Sequence, residues 1–117
     1  MVEGRKPDIS VERYILGLLA EEAGEVLQWA GKSLRFGFDT PGRKDAAGNV
    51  TGETPRTLMP PELGDFLAAI DFAAAHGFID KAAVEDARAR KLAKLLNPAS
   101  LDNLGRPLAP QPLGASA

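Results

Sequence analysis

The chain has no cysteine and a single histidine, so neither a disulfide framework nor a cysteine–histidine zinc site can be built from it. Positive charge is not in excess either. With 14 Lys and Arg against 16 Asp and Glu, the net charge of -2 argues against a broad basic face for nucleic acid. No apolar run approaches the roughly 18 residues of a membrane span. The N-terminal stretch also lacks the apolar core of roughly 7–15 residues that marks a signal peptide. The 117 residues are then expected to form one cytoplasmic domain, with no membrane or nucleic-acid partner. Any metal it holds must rest mainly on carboxylates.

Punctuation divides the chain. Residues 1–8 are polar and end in Pro7-Asp8, an arm before a helix capped by Asp8 or Ser10. From Ile9 to about Arg35 no proline intervenes and apolar residues recur at helical spacing. Residues 37–59 are rich in glycine, proline and threonine and read as a long loop, with a hairpin turn at Ala47-Gly48-Asn49. Pro60-Pro61 is expected to open a second helix that Gly77 closes. Asp80 caps a third, ending near Leu96 before Asn97-Pro98. Residues 97–117 form a Pro-rich tail. The helical domain thus spans 9–96 with the loop inserted in it. The expected fold is all-α, a bundle of three main helices. So few helices rarely bury enough apolar surface alone, so a homodimer or homotetramer is expected to complete it.

At about 100° per residue, Val11, Ile15, Leu18, Leu19, Val26 and Trp29 share one face of the first helix, and Glu22 and Glu25 fall inside that stripe. Glu21 and Lys32 lie at its edge. On the second helix, Glu62 and Asp65 share a face with Phe66, Ala69, Ile70 and Ala73. Four carboxylates in apolar stripes are costly unless they share protons or bind cations. A hard divalent ion, Mg²⁺ or Mn²⁺, suits such oxygen ligands. The plainer reading is that acids on helix sides are ordinary, and that Glu62, after Pro61, merely favours the helix dipole.

Glu21-Glu22-Ala23-Gly24-Glu25 followed by Glu62-Leu63-Gly64-Asp65 resembles the EExxE…ExxD signature of the MazG-like, all-α nucleoside triphosphate pyrophosphohydrolases. Dimeric dUTPases and phosphoribosyl-ATP pyrophosphohydrolases belong to the same superfamily. The resemblance covers residues 9–96 and extends through Phe66-Leu67 and Gly77-Phe78-Ile79-Asp80. It implies metal-dependent hydrolysis of a nucleoside triphosphate to the monophosphate and pyrophosphate, with water attacking the α-phosphorus. Glu22, Glu25, Glu62 and Asp65 then resemble the metal ligands. Glu21 and Glu22 resemble the catalytic carboxylates, Glu21 helping a further ion or orienting the attacking water. The small size is compatible with phage-encoded members that act on (d)GTP to control nucleotide pools. Two departures stand out. The interval from Glu25 to Glu62 is longer than most relatives use, and the basic, aromatic ending after the third helix is replaced by the Pro-rich tail.

Candidate substrate contacts follow. Arg88 and Lys91 share a stripe with Val84, Leu92 and Leu95, facing phosphates or passing the leucines to solvent. Lys32 and Arg35 end the first helix, where they hold phosphates or favour its C-terminus. Trp29 stacks on a base or belongs to the core. His76 is expected to pack at a helix end. Gly17, Gly24 and Gly31 recur every seven residues opposite Glu22, a spacing that suits close approach of another helix. The competing functional class is a helical interaction module whose acidic face docks a basic partner without catalysis.

Overall fold

The computed structural model describes residues 9–99, 102 and 104–107. The expected N-terminal arm, and the tail beyond residue 107, lie outside the described residues. Five elements follow one another: helix α1 (Ile9–Phe36), strands β1 (Arg43–Lys44) and β2 (Val50–Thr51), helix α2 (Pro55–Ala75) and helix α3 (Lys81–Leu95). The fold is all-α. No helix among the described residues is long and apolar enough to cross a membrane. The chain forms two compact units, Met1–Ile79 and Asp80–Ala117.

In the first unit α1 and α2 pack together. Their direction follows from side-chain pairs: Tyr14 meets Phe72 edge to face at 6.5 Å, whereas Glu22 and Glu25 meet Glu62. The two helices are therefore antiparallel. Ile15 on α1 is 1% exposed, and two small residues on α2, Ala69 and Ala73, are equally buried. Small side chains let the backbones approach, but they bury little apolar area. Leu16, Leu27, Leu34 and Leu67 remain more than half exposed.

The second helix opens earlier than Pro60-Pro61. Pro55 occupies its first turn, where a missing N–H costs nothing, and both later prolines lie inside the helix. They remove the donors that would have bonded the carbonyls of Arg56 and Thr57. Those two residues are exposed, so water can take the freed carbonyls. The loop accordingly ends at Thr54 rather than residue 59. Gly77 closes α2 as expected: its φ of 78° is the left-handed conformation a glycine adopts freely, and Phe78 N donates back to Ala73 O at 3.0 Å.

The loop is ordered by its own polar groups. β1 and β2 pair antiparallel, with Arg43 opposite Thr51 and Lys44 opposite Val50. The Asp45 carboxylate accepts from the N–H groups of Ala47 and Asn49, both at 2.9 Å, and so builds the turn at Gly48. At the loop's base, Arg56 donates twice to Asp39, at 2.6 and 2.9 Å, and covers the Phe38 ring at 4.8 Å. This fork ties the loop to the first turn of α2.

In the second unit, Asp80 caps α3 by accepting from Ala83 N at 3.2 Å. Its face carries the pairs Glu85–Arg88, at 3.0 Å, and Asp86–Arg90. No α3 residue is buried.

Candidate metal centre

Antiparallel packing brings the middle of α1 against the early turns of α2. There the carboxylates of Glu22, Glu25 and Glu62 each offer an oxygen within 4.8 Å of the others. All three side chains are half-buried. Glu22 and Glu25 are three apart on α1 and so project together, and Glu62 meets them from α2. Glu62 lies well inside α2 and not in its first turn, so it gains nothing from the helix dipole. The dipole explanation of this residue fails.

Electrostatics make the cluster unusual. The Glu62 carboxyl is pushed up to about 7, chiefly by a hydrogen bond shared with Glu25, then by burial and by the charges of Glu25, Asp65 and Glu22. Burial, followed by the charges of Glu25, Asp65 and Glu21, raises Glu22 above the ordinary carboxylate range. Every charge that acts on these two groups is another carboxylate. One oxygen of each, Oε2 of Glu22 and Oε2 of Glu62, is shielded from solvent and has no hydrogen-bond partner. Unsatisfied, shielded acceptors of like charge are destabilising unless a proton or a cation joins them. The donor set is all-oxygen, anionic and drawn from two helices, which fits a hard divalent cation.

Asp65 and Glu21 complete the expected set differently. Both are exposed and lie outside the group within 4.8 Å, yet their charges act on Glu22, and Asp65 acts on Glu62 as well. They form the cluster's rim. Trp29, one turn beyond Glu25 on the same face, is half-buried, and the Lys32 ammonium stands 4.9 Å from its ring centroid. Arg35 instead covers the Phe36 ring at 5.0 Å. Arg88 and Lys91 belong to the second unit, where Arg88 is engaged by Glu85. His76 caps the end of α2 and packs on Phe72, the ring centroids 4.6 Å apart.

A feature beyond the motifs is a cavity of ≈ 900 Å³ beside the C-terminal half of α1. Trp29, Lys32 and Phe36 face it from α1, and Val50, Glu53 and Leu58 from the loop and α2. Of these, only Trp29 and Lys32 are marked by helical phase. The loop residues carry no periodicity, and their convergence depends on the Asp45 turn and the Arg56–Asp39 fork.

No protein-family model matches the chain, and neither a curated protein nor a solved structure does. The functional reading therefore rests on this chain's residues.

Proposed function

We propose that the protein is a divalent-metal-dependent nucleoside triphosphate pyrophosphohydrolase of the MazG-like kind. The observation that carries the reading is the trio Glu22, Glu25 and Glu62, with ligand oxygens within 4.8 Å and two shielded oxygens left without a partner. A docking face for a basic protein would present its acids to water, whereas these two oxygens are turned from it.

In this reading Glu22, Glu25 and Glu62 hold Mg²⁺ or Mn²⁺, with Asp65 supporting from the rim. The bound ion would neutralise the triphosphate and make hydroxide available near neutral pH. Glu21, exposed beside Glu22, orients the attacking water. Lys32 and Arg35, at the end of α1, are the side chains of this unit that meet phosphate charge. Water oxygen joins the α-phosphorus, the bond to the bridging oxygen of the β-phosphate breaks, and pyrophosphate leaves. Positioning and electrostatics supply most of the acceleration in such chemistry.

We further propose that a second copy covers the outer face of α1. Leu16, Leu27 and Leu34 are exposed there, and a Cβ built on Gly17, Gly24 or Gly31 would meet nothing within 4 Å. Glycine inside a helix costs about 0.8–1 kcal/mol relative to alanine, and close approach of another helix would offset that cost. Sedimentation should give a dimer or tetramer, and Leu27→Lys should shift it toward monomer.

The activity test is pyrophosphate release from the standard ribo- and deoxyribonucleoside triphosphates with Mn²⁺ or Mg²⁺. Release that disappears in Asp65→Asn while far-ultraviolet circular dichroism stays helical supports the assignment. Undiminished turnover by that variant removes Asp65 from the site, and absence of release from every nucleotide removes the hydrolase reading.

A further inference from the structure

The ≈ 900 Å³ cavity adjoins the carboxylates along both helices. Trp29 follows Glu25 by one turn of α1, and Leu58 precedes Glu62 by one turn of α2, a rise of about 6 Å in each case. Both side chains line the cavity, so its mouth is also a way to the cluster. The rest of the wall comes from the chain between the helices, where Gly42, Val50 and Gly52 face the same space.

That wall holds its own shape. β1 and β2 pair with one another, and the N–H groups of Asp45, Ala47, Gly48 and Asn49 all donate within the turn that joins them. A glycine flanks the hairpin at each end: Gly42 precedes β1 and Gly52 follows β2. Gly52 has a φ of 96°, in the region that favours glycine. Gly42 has no left-handed φ, and a Cβ built on it would meet nothing within 4 Å. Neither conformation nor packing demands glycine there, so what it adds is backbone freedom. Beneath the two glycines the stem is clamped by the fork from Arg56 to Asp39. Bending is thereby confined to the glycine pair. Two apolar groups also face the cavity uncovered: Phe36 on the helix wall is 60% exposed, and Val50 on the hairpin wall is 50% exposed. Inward rotation of the hairpin would remove both from water, which is favourable in proportion to the area covered.

We propose that the β1–β2 hairpin is a flap that turns as a rigid body about Gly42 and Gly52, above the Asp39–Arg56 clamp, and closes the cavity by bringing Val50 onto Phe36 and Trp29. The arrangement described above is its open position. Closure of this kind admits a ligand and then shuts water out of the adjoining chemistry. The flap does not depend on the hydrolase reading, because it gates the cavity whatever enters there. It gives the extended interval between the two acidic motifs a purpose.

The chain has no cysteine, so a pair can be introduced for spin labels without background. Ala46 at the hairpin tip and Gln28 on α1 are both exposed and accept a label. Pulsed electron paramagnetic resonance on Ala46→Cys/Gln28→Cys protein, free of metal and nucleotide and diluted into unlabelled protein, should resolve two distances within the chain. The shorter is the closed flap. Val50→Ser removes the apolar contact made on closing and should lower the shorter-distance fraction by about threefold. Gly42→Ala fits the open position and should lower it too, whereas a static loop is indifferent to both. Asp45→Ala removes the acceptor that builds the turn and should replace the two distances by a broad spread, because the flap is then no longer rigid. Trp29, the chain's single tryptophan, should become more accessible to acrylamide in Val50→Ser. All variants should keep helical circular dichroism. A single distance overturns the proposal, as does a ratio that ignores both Val50→Ser and Gly42→Ala. A spread equally broad with and without Asp45→Ala overturns it as well, since the segment then fluctuates without moving as a unit. Neither metal nor nucleotide enters this experiment, so absence of pyrophosphate release removes the hydrolase and leaves the flap standing.

Discussion

On α3, Glu85 lies 3.0 Å from Arg88 and Asp86 pairs with Arg90, and all four side chains are at least half exposed. On α1 and α2, Glu22, Glu25 and Glu62 converge, and the charges acting on Glu22 and Glu62 are all negative. Both regions are helical and rich in charge. The first arrangement is self-contained: each acid has a base three or four residues away, and water screens the pair. In the second, the charges acting on Glu22 and Glu62 are all of like sign, and one oxygen of each is shielded without a hydrogen-bond partner. The two regions differ in shielding and counter-charge, not in acidic content.

The sharpest way to break the comparison is to remove one acid from each region. Glu62→Gln keeps size and removes the charge that the cluster shares. Pyrophosphate release should fall by about 10²–10³-fold, the scale of deleting one preorganised electrostatic contact in a site. Mn²⁺ affinity measured by calorimetry should fall with it. Glu85→Gln on α3 should leave turnover within about twofold. Equal effects of the two substitutions would erase the distinction.

Metal addition comes next. An ion that binds only the folded chain stabilises it by mass action, about 2.7 kcal/mol at a hundred times Kd. For a chain of this size that is on the order of 10 °C in melting temperature. Wild type should show the shift with Mn²⁺, and Glu25→Gln should show little. A shift retained in Glu25→Gln would place the ion elsewhere.

The pH dependence is smaller and has a definite sign. Glu62 titrates near 7 in the folded protein and at its ordinary 4.5 when unfolded. Between these values the folded state binds more protons, so this group's contribution is fully present below about 4.5 and is lost as pH rises through about 7. Metal-free protein should therefore lose melting temperature from pH 4.5 to 7, a slope that Glu62→Gln should flatten. Mn²⁺ affinity should run oppositely and strengthen over the same window, because the ion displaces the shared proton. Asp39, lowered by its hydrogen bonds from Arg56, contributes in the other sense: its part is lost as pH falls through its folded value.

Much of this was legible before the structure, and the reason is periodicity. Helical phase places Glu22 and Glu25 on the face of Ile15, and Glu62 on that of Ala69 and Ala73; the antiparallel packing of α1 and α2 then makes them meet. Capping chemistry marks Asp80 and Gly77 directly. Local rules mislead at Pro60-Pro61, because a proline pair reads as an opener whereas Pro55 already fills that role. Phase also does not separate Asp65 from Glu62, since both share a face and only packing depth leaves one at the rim. The cavity wall is the least legible part. The Asx-type turn at Asp45 is local, and the Ala47-Gly48-Asn49 pattern marks it, but the Arg56–Asp39 pair that ties the loop to α2 joins residues 17 apart and no local pattern encodes it.

That ion pair sets the smallest expected effect and sharpens the comparison within one unit. Asp39 and Arg56 are a bidentate pair, unlike the converging acids, yet both side chains are mostly exposed. Exposed pairs contribute little to global stability. Asp39→Asn should thus change the melting temperature by under about 2 °C. Its consequence should be local, because the fork joins the loop to the first turn of α2. Amide exchange at Arg56 N, which donates to Phe38 O at 3.1 Å, should quicken, while exchange in the middle of α1 stays as in wild type. Equal acceleration in both places would mean that the loop is part of the helical core and not an appendage tied to it.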